Sequence, residues 1–216
     1  MIVLDLDLTL LCTDEDDGRV PYQPKRMANS KHAELLPLIQ RSHLYSFHMF
    51  DPACEREMTM YGCFRTGYRQ FLKWARDNFD YVVVWSAGRR AYVHELVTKI
   101  WKGMQPPDLV MTFNDLELNG DVYTKPLIKV ANLLKISMDT ILLIDDNPHV
   151  SVDNPDNTVL LPEFNPQVED VVLYELMTLL NEREISAATH YPSMGLRNLM
   201  RDEATDHVHY RKMVEV

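Results

Sequence analysis

Short, uninterrupted apolar runs alternate along the chain with stretches whose apolar residues recur every three or four positions. The runs are Met1–Leu4, Tyr81–Trp85, Leu109–Phe113, Thr140–Ile144 and Thr158–Leu161. Unbroken β-branched and aliphatic runs of this length suit strands buried on both faces of a parallel sheet. Between them, Tyr68, Phe71, Leu72, Ala75 and Phe79 share one helical face, which predicts a helix opening at Thr66. A second helix is predicted from about Arg90 to Lys102. A third starts at Pro126, whose missing N–H costs nothing in a first turn, and reaches about Lys135. Strands alternating with helices predict an α/β fold, an open and mostly parallel sheet covered by helices on both faces.

One region breaks this rhythm. His43–Phe50 and Glu57–Phe64 are rich in aromatic and thioether side chains and are separated by Asp51-Pro52, which predicts a β-hairpin. Cys12 to Asn29 runs from acidic to basic, with Gly18, Pro21 and Pro24, and reads as a loop. Ser30 then caps a short helix around Leu35–Ile39 that Pro37 weakens. These pieces form an insertion of about 12–64 between the first strand and the first long helix. Asn119-Gly120 marks a tight turn further on. The expected organisation is one domain over 1–185 and a helical tail over 186–216.

Composition narrows the setting. The chain has 216 residues and is 46% hydrophobic, enough for one core. A formal charge of -10 argues against direct nucleic-acid binding, which needs a basic face. Three cysteines are too few for a disulfide framework and point to a reducing compartment. Acids at positions 5 and 7 interrupt the apolar start, so no secretion signal is read there. No stretch reaches the ~20 apolar residues of a membrane span. An intracellular protein, cytoplasmic or nuclear, is expected.

The candidate chemistry lies where the runs end. The first run passes into Asp5-Leu-Asp7-Leu-Thr9. An ionised carboxylate is costly to bury without a partner, so both acids are expected at an exposed strand end. A spacing of two in an extended chain puts them on one side, where they could bind a hard cation or divide the roles of nucleophile and proton shuttle. The second run ends in Ser86-Ala87-Gly88 before a helix, a geometry that points backbone N–H groups at an anion; Ser86 would serve equally well as a plain helix cap. Lys125 stands at a helix entrance, where the dipole disfavours a cation unless an anion is near. The fourth run ends in Asp145-Asp146-Asn147-Pro148. In open parallel sheets ligands bind at the carboxyl ends of the strands, so these groups are expected to converge.

Asp5-x-Asp7-x-Thr9, Trp85-Ser86-Ala87-Gly88, Lys125 and Ile144-Asp145-Asp146-Asn147-Pro148, in that order, resemble the four motifs of the haloacid dehalogenase superfamily of phosphatases. More narrowly, they resemble the branch acting on the C-terminal domain of RNA polymerase II, the NLI-interacting-factor-like domain. The resemblance runs from Ile2 to about Leu180. It implies a Rossmann-like three-layer fold with a small hairpin insertion and no large cap. It further implies that Asp5 is the nucleophile forming an aspartyl-phosphate, that Asp7 is the acid and base, and that Ser86 and Lys125 hold the phosphoryl group. Thr9, Ala87, Gly88 and Arg89 are implied in substrate binding, with Arg90 also placed to touch substrate. Magnesium is implied as cofactor, bound by Asp5, the main-chain carbonyl of Asp7, Asp145 and Asp146. Two positions depart from the branch: Leu8 replaces its usual Glu, and Met111–Asn114 carries no arginine. The expected partner is a phosphoprotein bearing phosphoserine or phosphothreonine. A phosphatase for metabolites or nucleic-acid ends, and a non-catalytic phosphoprotein-binding scaffold, are the alternatives.

Overall fold

The computed structural model describes residues 1–16, 43–51 and 55–187. Its centre is a five-stranded, wholly parallel sheet formed by β1 (Ile2–Leu4), β5 (Val82–Trp85), β6 (Leu109–Met111), β9 (Leu142–Asp145) and β10 (Thr158–Leu160). The spatial order is β10-β9-β1-β5-β6. The chain thus builds outward on one side of β1 and then returns to the other, making β1 the switch point of the sheet.

Alternate strand residues feed two cores, as the two-residue period of a strand requires. Ile2, Leu4, Val82, Val84, Leu142 and Ile144 pack on one face with α1 (Tyr68–Asn78), α2 (Arg90–Ile100) and α4 (Val172–Ala187). Val3, Val83, Trp85 and Leu143 pack on the other with Leu127 and with Val130 and Ala131 of α3 (Ile128–Leu134). Three layers result. No described helix is long and apolar enough to cross a membrane.

The insertion is larger than a hairpin. β3 (Leu44–Asp51) and β4 (Arg56–Phe64) pair antiparallel as expected, and β2 (Leu11–Asp16) adds a third strand in the order β2-β4-β3. The loop expected from Cys12 is therefore corrected over its first five residues. Polarity misled there: the acidic run tolerates an edge position because Arg56 binds Glu15 at 2.7 Å and the Thr13 and Tyr45 hydroxyls bond across the sheet. The remainder of that loop, the helix around Leu35–Ile39 and the Asp51-Pro52 turn beyond Asp51 fall outside the described residues.

Other boundaries move slightly. Phe113 leaves the third predicted strand for a 3-10 helix, Phe113–Asp115, closed by a capping box between Thr112 and Asp115. Thr140 belongs to a 3-10 turn, Met138–Thr140, before β9. Around the Asn119-Gly120 turn, β7 (Glu117–Asn119) and β8 (Val122–Thr124) form a two-stranded ribbon. Helix α4 runs through the expected boundary at 185, and residues 188–216 lie outside the described residues.

Candidate active site

Sheet register assembles the site. Leu4 sits opposite Ile144, so the next residues, Asp5 and Asp145, emerge side by side from adjacent parallel strands. The Asp5 N–H still donates to the Ile144 carbonyl at 3.0 Å. Lys125, leaving β8, places its ammonium between them: Nζ donates to Asp5 Oδ1 at 2.6 Å and to Asp145 Oδ2 at 2.7 Å. The three side chains are almost wholly buried. This corrects the expectation of an exposed acid at Asp5, whereas Asp7 is half-buried. Burial of Asp5 and Asp145 is tolerated because each carboxylate gains a charged donor, and the dipole penalty on Lys125 is met by two anions.

The chain turns just after Asp7, over Leu8, Thr9 and Leu10, and Asp7 forms a bridge with Leu11. Leu8 adopts a left-handed conformation, φ 64°, and the turn closes through bonds from Leu10 N and Leu11 N to Leu6 O at 2.8 and 3.1 Å. A left-handed leucine is strained, and surrounding bonds must hold it. Phe164 N supplies one by donating to Leu8 O at 2.6 Å. The turn brings the Asp7 carboxylate under the Tyr92 hydroxyl, which donates to Oδ1 at 2.5 Å.

Thr9 reaches the fourth motif instead of open space, with Oγ1 donating to Asp146 Oδ1 at 2.7 Å. Ser86 is buried, and its Oγ accepts from Gly88 N at 3.0 Å, leaving the hydroxyl hydrogen available for donation. A Cβ on Gly88 would stand 2.7 Å from Tyr92 and 2.9 Å from Val93, so glycine lets the loop lie against α2. Ala87 is exposed beside it. Arg89, expected at the substrate, is held by the Asp51 carboxylate of β3 at 3.1 Å, which ties the insertion to the second motif; Arg90 is exposed at the start of α2.

Burial shapes the proton affinities. It raises Asp5 well above the ordinary carboxylate range, against the pull of Lys125. It pushes Asp7 up to about 6, with the Tyr92 hydrogen bond pulling back. It raises Asp146 too, opposed by the Thr9 hydroxyl. For Lys125, burial would lower the value, but Asp5 and Asp145 outweigh it and keep the ammonium charged. Carboxylate oxygens of Asp5, Asp145 and Asp146 lie within 4.8 Å of one another. Three acids around one ammonium leave excess negative charge, and an all-oxygen donor set fits a hard divalent cation such as magnesium. The Asp7 side chain is not in that cluster; its expected contribution is the main-chain carbonyl.

Three supports escaped the sequence reading. Tyr92 reads as one more apolar helix residue. Arg65, wholly buried, binds Asp170 Oδ2 at 2.9 Å, Thr9 O at 3.0 Å and Pro162 O at 3.1 Å, knitting the motif-one turn to the chain after β10. An arginine directly after the apolar run Cys63-Phe64 was the available signal. Asn154 donates to Lys125 O at 2.7 Å and accepts from Leu127 N at 3.0 Å, and nothing in its loop sequence announced that clamp.

The parallel sheet switching at β1, the acids at its carboxyl edge and the antiparallel insertion behind the first motif define a haloacid dehalogenase-like phosphatase fold. Residues 1–190 match the family model of the NLI interacting factor-like phosphatases, and the chain belongs to that family. Among solved structures, it is similar to the fission yeast RNA polymerase II CTD phosphatase Fcp1-R271A bound to beryllium fluoride, with TM-score 0.54 and 19% identity over 94% of this chain and 53% of that one. A second structure, of Fcp1 as an essential RNA polymerase II CTD phosphatase, gives TM-score 0.54 and 18% identity over 95% of this chain and 54% of that one. The chain thus spans about half the length of these relatives. No curated protein sequence matches the chain.

Proposed function

We propose that this protein is a magnesium-dependent phosphatase that hydrolyses phosphoserine or phosphothreonine on protein substrates through an aspartyl-phosphate on Asp5. The observation that carries the reading is the buried Asp5–Lys125–Asp145 bridge, a carboxylate and a cation held at 2.6–2.7 Å where a phosphoryl group would enter. Phosphoryl transfer asks a protein chiefly for positioning and for positive charge around the moving group.

In this scheme an Asp5 oxygen attacks phosphorus while the bond to the substrate oxygen breaks. Asp7, carrying a proton, delivers it to that oxygen. The Asp7 carboxylate then takes a proton from water, the water oxygen attacks phosphorus, and the bond to Asp5 breaks to release phosphate. Lys125 and the Ser86 hydroxyl hold the phosphoryl oxygens, and the N–H groups of Ala87 and Gly88 line the same loop. Thr9 fixes Asp146. A magnesium ion held by Asp5, Asp145, Asp146 and the Asp7 carbonyl would supply the charge that lets an anionic carboxylate meet an anionic phosphate. The value of about 6 for Asp7 supports its service as acid and base near neutrality.

The absence of a capping domain among the described residues supports a macromolecular substrate. Between Gly88 and Lys125 there are only α2, β6, one 3-10 turn and the β7–β8 ribbon. The two solved structures that the chain resembles are RNA polymerase II CTD phosphatases, which supports a phosphoprotein substrate. The test is hydrolysis of p-nitrophenyl phosphate with and without magnesium by wild type and Asp5→Asn. Turnover that needs magnesium and disappears in a folded variant is expected; activity surviving in Asp5→Asn would reject the nucleophile. A following panel of phosphopeptides, nucleotides and 3'-phosphorylated DNA separates the substrate classes, and phosphopeptide binding without turnover would indicate a scaffold.

A further inference from the structure

A groove opens between α1 and the turn that ends α2. α2 carries the chain from the carboxyl end of β5 back toward the start of β6, as the crossover between parallel strands must, so its last turn lies toward the amino edge of the sheet. Asp108 marks that edge: its N–H donates to Val82 O and its Oδ2 accepts from Val82 N, both at 2.8 Å. Arg76 of α1 binds the same carboxylate at 2.6 Å. The Asp5–Lys125–Asp145 bridge stands at the opposite edge.

Local sequence builds the groove. Arg69, Leu72, Lys73 and Arg76 recur at steps of three and four and share one face of α1. Gly103, with φ 77°, takes the left-handed turn that ends α2, and Met104 N then donates to Trp101 O at 2.8 Å. Met104 and Gln105 thereby face α1 across a cleft of about 530 Å³. Leu72 and Trp101 are buried and make its floor, with Met104 half-buried beside them.

Charge singles out this cleft. The chain carries 32 acids against 22 lysines and arginines, yet Arg69, Lys73 and Arg76 all line the groove. Arg69 donates to the Lys102 carbonyl at 3.1 Å and has no carboxylate partner among the described residues. Lys73 meets Asp77 at 2.6 Å, but the side chains are 74% and 58% exposed, and so wet a pair contributes little. Salt confines each charge to about 8 Å at physiological ionic strength. A short acidic segment therefore meets the local cations, whereas a bilayer or nucleic acid meets the whole surface and its net charge of -10.

We propose that this groove docks a short acidic segment of a partner protein, which seats one large apolar side chain, leucine or aromatic, on Leu72, Trp101 and Met104 and sets its carboxylates against Arg69 and Lys73. The unbranched thioether of Met104 adapts to either kind of anchor. Because the groove lies at the edge opposite the proposed phosphoryl chemistry, it tethers a partner without blocking turnover, and it stands independently of the phosphatase reading.

The test uses the full chain and fluorescein-labelled twelve-residue peptides of glutamate and serine with leucine, phenylalanine or tryptophan at the centre. Control peptides carry lysine in place of glutamate, or serine at the centre. Fluorescence anisotropy should show at least one acidic anchored peptide binding about tenfold tighter than either control, and weakening as salt rises. Arg69→Glu/Lys73→Glu, at two exposed positions, should lose that advantage and favour the lysine control. Met104→Ser should remove the benefit of the anchor and keep the salt dependence. Hydrogen exchange of the wild-type complex should show protection at residues 69–76 and 101–105, with turnover of p-nitrophenyl phosphate unchanged at saturating peptide. A preference below about twofold for all three anchors, protection elsewhere, or competitive inhibition of turnover overturns the docking site. Charge reversal that leaves peptide binding intact but abolishes binding to phosphatidylserine vesicles, or dissociates a dimer, overturns it in favour of a lipid surface or a second copy of the chain. Failure of wild type to hydrolyse p-nitrophenyl phosphate strikes the phosphatase reading alone, and anisotropy and hydrogen exchange still judge the groove.

Discussion

The Tyr92 hydroxyl, carried by α2, donates to Asp7 Oδ1, so the second acid of the first motif is oriented from a helix that begins 83 residues after it. The phenol is itself steadied by packing, its ring 6.3 Å from Phe47 of the insertion. One side chain thereby links the antiparallel insertion, the second motif and the acid proposed to protonate the leaving group.

Tyr92→Phe removes that orientation and little else. Turnover of alkyl phosphates, whose leaving oxygen needs a proton, should fall about tenfold, within the range for a misplaced general acid. In kcat/KM, which reports only the first phosphoryl transfer, p-nitrophenyl phosphate, whose leaving group departs as an anion, should change about twofold or less. Steady-state kinetics on the two substrates decides. An equal loss on both would reduce Tyr92 to a packing residue.

Lys125→Met leaves Asp5 and Asp145 facing each other without their shared cation. Breaking a buried ion pair from one side costs roughly 3–5 kcal/mol, so urea unfolding in chelator should show a loss of about that size. Magnesium added to the folded variant should recover part of it by mass action. Turnover should fall at least about a hundredfold, as for loss of a preorganised charge at the reacting group.

Among the described residues Arg65 and Asp170 form the other buried pair, 2.8 Å apart, with side-chain exposures of 1% and 6%. Arg65→Met and Asp170→Leu should each destabilise by roughly 3–5 kcal/mol, since each strands its partner. The double variant should cost less than the two together, and a double-mutant cycle in urea measures that coupling. Strict additivity would mean that the Arg65 bonds to Thr9 and Pro162 carry the whole effect.

His43 gives a pH signature. Burial lowers its value, with a bond to the Phe64 backbone pulling the other way; its Nδ1 has no partner, and its ring meets Tyr68 edge-on at 5.6 Å. The folded ring therefore resists a proton that the unfolded chain, near 6.5, accepts. Between the two values the unfolded state binds more protons, so stability rises with pH there and is lost as pH falls through about 6.5. His43→Phe removes this dependence. The variant should gain stability relative to wild type as pH falls from about 7 to 5.5, and the difference should stay level above pH 7. A difference that does not vary with pH would show that folding leaves the proton affinity of His43 unchanged.

The strands and helices of the central layers were legible because each obeys one period: Val82–Val84 are apolar without interruption, and Phe71, Leu72 and Ala75 recur on a single helical face. The order of the acids, Ser86 and Lys125 was equally plain from the chain alone. What local pattern misjudged were elements held by distant partners. Leu11–Asp16 is acidic enough to read as a loop, yet it is a strand because β4 pairs with it and Arg56 takes up Glu15. Asp5 reads as an exposed acid, yet it is buried because Lys125, from the far end of β8, reaches its carboxylate.

By itself the sequence determined the α/β class, the position of each motif at the end of a strand, and the resemblance that names the family. The tertiary structure alone decided that Asp5 and Asp145 are buried, that one ammonium bridges them, and which residues orient the rest. The physical reason is range. Periodicity and turn chemistry act over a few neighbouring residues, whereas the Lys125–Asp5, Arg65–Asp170 and Tyr92–Asp7 contacts join positions 120, 105 and 85 apart, and only a folded sheet in register brings them within hydrogen-bonding distance.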